Sequence, residues 1–197
     1  VEYSEEALNQ LWIEFIKYRI IYDFEYWAYS FIFIKDKVSP KDIPFKLNRA
    51  QRRVLNKLEK LRKAGKPIKF ILLKARQWGG STLVQIYMLW IMLVHRRNWN
   101  TVICGDVETQ SRNVRAMITK ALNKYPSYLL GETVKFTPFE GSSKNKVIQN
   151  TNCVVSIGSF QKPDTLRSGD ISGAHLTEIG LWRATPGKKP EDLIQSI

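Results

Sequence analysis

Lys74-Ala75-Arg76-Gln77-Trp78-Gly79-Gly80-Ser81-Thr82 is the stretch on which the fold turns. On one side lies Ile68-Lys69-Phe70-Ile71-Leu72-Leu73, a β-branched and apolar run suited to a buried strand. On the other, Leu83 to Val94 is apolar except at Gln85 and reads as a buried helix ending near His95. A glycine-bearing turn from strand to helix is where an α/β fold places a phosphate-binding loop. The helix N-terminus offers unpaired backbone N–H groups and the positive end of its dipole. Glycines let the backbone curl close to phosphate oxygens, and a hydroxyl at the helix start can ligate Mg²⁺. Against the pattern G-x-x-x-x-G-K-[ST], Gly79 takes the second glycine and Ser81 the hydroxyl. Gly80 stands in the lysine's place and Lys74 in that of the first glycine. A cation could still reach the phosphates from the front of the loop, through Lys74 or Arg76. The competing reading is a basic strand-to-helix turn that simply needed glycine.

Working outward, Asn48 is placed to cap a helix from Arg49 to about Lys63, which Gly65 and Pro67 end. Residues 4–34 carry ten aromatics and read as two helices, one with Trp12, Phe15 and Ile16 at amphipathic spacing and one from Tyr22 to Ile34. Core packing is the expected role of this aromatic stripe, stacking on bases the alternative. Val38-Ser39-Pro40 and Pro44 separate this segment from the rest, which sets expected boundaries of 1–44 and 45–197. Downstream, Thr101–Cys104 reads as a strand and Val107–Lys124 as a helix. Val147–Gln149 and Cys153–Ile157 form a hairpin about Asn150-Thr151-Asn152, and Ala174–Thr177 is a last short strand. Alternating strands and helices mean an α/β sheet.

The chain has 197 residues, of which 44% are hydrophobic, enough for one sizeable core. It begins at Val1, as a piece of a longer protein would. Thirty-one Lys and Arg against 18 Asp and Glu leave a formal charge of +13, which suits a polyanionic partner, although no single basic stripe stands out. Cys104 and Cys153 lie in strand-like apolar runs and read as buried free thiols, in keeping with a reducing cytoplasm. His95 and His175 read as packed side chains, and no His/Cys cluster has metal-site spacing. No run is long enough to span a membrane.

The segment from Lys74 to Thr82 resembles the deviant Walker A motif of the large terminase subunits of tailed phages. Several of these displace the lysine to the start of the loop, and many carry an Arg-Gln pair within it, as Arg76-Gln77 does here. The resemblance covers roughly Phe45 to Trp182. It implies an ASCE-type P-loop ATPase, its sheet flanked by helices, with an N-terminal helical extension. Lys74 would be the displaced lysine and Arg76 a cis-acting arginine at the γ-phosphate. Lys74, Ala75, Arg76, Gln77, Trp78, Gly79, Gly80, Ser81 and Thr82 would hold ATP, with Ser81 a ligand of Mg²⁺. Ala174-His175-Leu176-Thr177-Glu178 is similar to Walker B, with Glu178 as the catalytic and metal-side carboxylate and Thr177 where the family has Asp. Phe45-Lys46-Leu47-Asn48-Arg49-Ala50-Gln51 resembles the adenine-recognition segment, with Gln51 as the base reader. Arg167, in Leu166-Arg167-Ser168-Gly169, is the candidate trans arginine finger. The segment from Cys104 through Asp106, Thr109 and Gln110 is also family-like, without assigned chemistry.

By the same resemblance the chain would be the motor of viral genome packaging. Its partners would be double-stranded DNA, the portal protein, the small terminase subunit and further copies in a ring, with no membrane. It would act in the host bacterial cytoplasm and transiently on the procapsid. The family continues with a coupling motif, more strands and a nuclease domain, and no acid cluster here supports nuclease activity. A helicase-like translocase and a degenerate, non-hydrolysing DNA-binding module are the alternatives. The altered Gly80 and Thr177 weigh against the first and motivate the second.

Overall fold

A computed structural model describes residues 4–36, 38–73, 78–163 and 170–196. Two helices open the chain, α1 (Glu5–Tyr22) and α2 (Phe24–Phe31), followed by a small antiparallel pair, β1 (Phe33–Lys35) and β2 (Asp42–Pro44). Then come α3 (Arg49–Lys63), α4 (Gly80–Trp90) closed by a π-helical turn (Ile91–His95), β3 (Asn100–Gly105) and α5 (Glu108–Leu122). The chain goes on through β4 (Phe136–Phe139), β5 (Ser142–Ile148), β6 (Cys153–Ser159), β7 (Gly173–Leu176) and α6 (Pro190–Ser196).

Five strands form one mixed sheet in the order β4-β5-β6-β3-β7. β3 runs parallel to both β6 and β7, while β4, β5 and β6 pair antiparallel. The central place of β3 follows from Thr101-Val102-Ile103-Cys104, every residue of which is buried. Alternation along it divides two apolar layers. Ile103 belongs to the large cluster that includes α4 and α5, whereas Val102 and Cys104 belong to a smaller one with Phe160, Trp182 and Leu193 of α6. Burial pushes the Cys104 thiol up to about 12, with the Asp106 charge adding to it, so this is an inert packed thiol.

The N-terminal helices share the large core. Trp27 and Trp90 are fully buried, and each indole N–H finds a partner: Trp27 Nε1 donates to the Tyr125 hydroxyl at 3.0 Å, and Trp90 Nε1 to the Ile20 carbonyl at 2.7 Å. The aromatic stripe therefore divides. Phe24, Trp27 and Phe31 pack as expected, but Trp12, Phe15, Tyr18 and Tyr22 stand exposed on α1, where only Ile16 and Ile20 are buried. The second helix also stops earlier than its composition indicates, because Phe33–Lys35 leave it to pair with β2.

One expected strand is absent. Ile68–Leu73 forms no ladder, and Ile71 and Leu73 are 97% and 100% exposed. Strand propensity needs a neighbour to become a strand. Among the described residues this run pairs with none, although β7 ends the sheet with only β3 beside it and leaves its other edge open. By contrast α3 starts and stops where Asn48 and Gly65 place its ends.

Candidate functional site

The site starts from the difference between helix beginnings. α1, α2 and α3 are each closed by a side chain: Ser4 accepts from the Ala7 N–H, Asp23 from the Tyr26 N–H and Asn48 from the Gln51 N–H. α4 has no such cap. Gly79 precedes it in the left-handed region at φ 84°, where L side chains are strained, and Gly80 sits buried at the first helical position. The bare first turn carries the hydroxyls of Ser81 and Thr82, both half-buried. An uncapped helix start behind a left-handed glycine suits an anion. The cations expected to complete it lie outside the described residues, namely Lys74 and Arg76 together with Ala75 and Gln77, as does Arg167.

α3 supports this turn. Asn48 and Gln51 form a capping box, in which Gln51 Oε1 accepts from the Asn48 N–H and Asn48 Oδ1 from the Gln51 N–H, each at 2.9 Å. The remaining ends of both amides reach across to the α4 start. Asn48 Nδ2 donates to the Trp78 carbonyl at 3.1 Å, and Gln51 Nε2 to the Gly79 carbonyl at 3.0 Å. That carbonyl also accepts the Leu83 N–H at 3.0 Å, so both of its lone pairs are engaged. Farther along, the Tyr87 hydroxyl donates to Glu59 Oε1 at 2.7 Å and Arg62 pairs with the same carboxylate. Burial raises the Glu59 pKa, but these hydrogen bonds outweigh it and leave the group below its ordinary value.

Glu178 follows β7 at the carboxyl end of the parallel strands, where open α/β sheets place their sites. Thr177 is buried and its N–H donates to the Cys104 carbonyl at 2.8 Å, extending the parallel pairing by a residue. Glu178 itself turns into the left-handed region at φ 56°, an unusual conformation for a non-glycine, and is exposed. Its Oε2 accepts from Gln110 Nε2 at 3.3 Å. Gln110 Oε1 meanwhile accepts from the Asp106 N–H at 3.0 Å, at the end of β3. Gly105 permits this approach, because a Cβ there would stand 3.0 Å from both the Cβ and Oε1 of Gln110. Gln110 belongs to a motif without assigned chemistry. The available signal was a glycine closing a strand five residues ahead of a glutamine on the following helix.

α4 is tied to β7 by Gln85 Nε2 and His175 Nδ1, 2.6 Å apart in the core. Ser81 and Glu178 share no hydrogen bond. No group of three or more His, Cys, Asp and Glu gathers as a metal site among the described residues. A nucleotide-borne Mg²⁺ would not require one, since it takes one or two protein ligands and completes its shell from water and phosphate. An open depression of about 510 Å³ lies among Arg19, Asp23, Glu25, Tyr26, Tyr29, Lys46 and Arg52, and holds none of the candidate residues. No helix among the described residues is long and apolar enough to cross a membrane.

The fold is similar to that in the crystal structure of the HK97 bacteriophage large terminase. The TM-score is 0.61 at 18% identity, over 91% of this chain and 34% of that one. The chain thus spans about a third of that protein's length. No protein-family model matches the chain, and no curated protein sequence matches it.

Proposed function

We propose that the chain is the ATPase motor domain of a viral DNA-packaging terminase large subunit, coupling ATP hydrolysis to movement of double-stranded DNA into a procapsid. The observation that carries this reading is the bare start of α4 behind a left-handed glycine, next to the basic run that resembles a displaced-lysine Walker A. In it the first-turn amides of α4, with Lys74 and Arg76, hold the phosphates of ATP. Ser81 and Glu178 stand on the Mg²⁺ side. Bound ATP supplies the phosphoanhydride bond to be broken. Glu178 orients the attacking water and takes its proton, and Arg76 and a neighbouring subunit's Arg167 offset charge on the leaving phosphates.

The +13 charge serves the DNA backbone, which is read by charge and not by sequence. The portal protein, the small terminase subunit and further copies in a ring complete the motor, in the host bacterial cytoplasm and on the procapsid. Gly80 and Thr177, which depart from the family pattern, favour a second reading: a degenerate DNA-binding module that does not hydrolyse ATP.

Calorimetric titration of a non-hydrolysable ATP analogue with Mg²⁺ tests the site. Lys74→Ala should weaken binding by about 2 kcal/mol, the scale of a charge-assisted contact. Glu178→Ala should keep binding and stop turnover. Salt-dependent DNA binding with no ATP turnover would favour the second reading, and no nucleotide binding at all would overturn the first.

A further inference from the structure

The buried amide of Gln51 fits a role other than reading a base. A primary amide reads the adenine edge by offering Oε1 and Nε2 together to the ligand. Here Gln51 is 4% exposed, its Oε1 faces the Asn48 N–H and its Nε2 faces the Gly79 carbonyl. The amide also occupies the space a side chain at 79 would need, since a Cβ on Gly79 would lie 2.8 Å from Gln51 Nε2. Glycine at 79 and glutamine at 51 are therefore one device. The glycine admits the amide, and the amide fixes the peptide from which α4 starts.

We propose that Gln51 is a positioning residue that holds the α4 start in place for phosphate and takes no part in recognising the base. The site then accepts nucleoside triphosphates by their phosphate groups, whatever base they carry. This rests on the nucleotide reading above and assigns its specificity.

The test uses the full chain with Mg²⁺ and three probes: non-hydrolysable analogues of ATP and of GTP, and inorganic tripolyphosphate. Affinities are measured at about 15 °C, well below the melting transitions typical of such domains, so that a loss of global stability alone does not move them. The parent should bind the two analogues within about threefold of each other, because phosphate makes the contacts. Gln51→Met removes the amide without adding charge. Gln51→Glu keeps the capping box, in which Glu serves as well as Gln, but cannot donate to Gly79.

Both variants should lose about tenfold in affinity for all three probes, the scale of one buried hydrogen bond. Both should melt earlier, Gln51→Met because the amide is lost and Gln51→Glu because a carboxylate oxygen then faces the Gly79 carbonyl. Loss confined to the ATP analogue would make Gln51 the base reader and overturn the proposal. Affinity retained in Gln51→Met in spite of its earlier melting would reduce Gln51 to a helix cap and overturn it too. If the parent binds none of the probes, the nucleotide reading fails with it.

Discussion

Two neighbouring helix starts are built in opposite ways. At α3 a complete capping box closes the N-terminus: an Asn cap, a Gln three residues later and reciprocal hydrogen bonds. At α4 none is present, and a left-handed glycine takes the cap position. The closed start holds the open one through the Trp78 and Gly79 carbonyls. The contrast teaches that an open, anion-ready turn is kept in shape from outside, because a cap of its own would occupy the groups a ligand needs.

Gly79→Ala attacks the contrast most directly. It puts a Cβ at positive φ against the Gln51 amide, so both starts are disturbed at once. A loss of about 2 kcal/mol is expected, which lowers Tm by about 4–8 °C for a domain of this size. A variant that melts with the parent would show that the amide can leave at no cost.

The far end of α4 gives a smaller, pH-dependent effect. Burial, with the charges of Arg62 and Arg96 adding to it, depresses the His95 pKa to about 4 from its ordinary 6.5. The unfolded chain therefore binds a proton that the folded one refuses. The contribution of neutral His95 is present above about pH 6.5 and is lost as pH falls toward 4. In a His95→Gln variant, the fall of Tm between these values should flatten. An unchanged slope would place the acid sensitivity elsewhere.

Gln110→Ala probes the other half of the site and should cost about 1 kcal/mol of stability, because the half-buried Asp106 N–H loses its acceptor. If Gln110 orients Glu178, kcat falls about fivefold, the scale of one exposed hydrogen bond, while KM stays. A rise in kcat would mean that the bond restrains Glu178.

Much of the fold was legible because its signals were local. Asn48 and Gly65 bound α3, and Thr101–Cys104 lies inside the central strand. What was not legible depends on partners distant in sequence. Ile68–Leu73 has the composition of a strand, yet composition names no neighbour to pair with. Trp12 and Phe15 repeat at helical spacing, but spacing does not say which face of a two-faced apolar helix meets the core. The candidate site divides in the same way. Gly79, Gly80 and Glu178 announce themselves by type and order. The Gln110–Glu178 contact joins residues 68 positions apart, and Gln51 is diverted by a carbonyl 28 positions away.

The offset of 28 recurs between Glu59 and Tyr87. α3 and α4 are thus cross-linked by two rungs of equal offset, and the two helices run in the same direction. The rungs are eight residues apart on each helix, about 12 Å. Two such rungs resist sliding of one rod along the other, as one alone would not. Arg52, on the same helix as Gln51, is paired with Glu25 of α2. In mechanical terms, α2, α3 and the glycine turn are joined in series by side-chain contacts, of which the exposed Arg52–Glu25 pair is the weakest link.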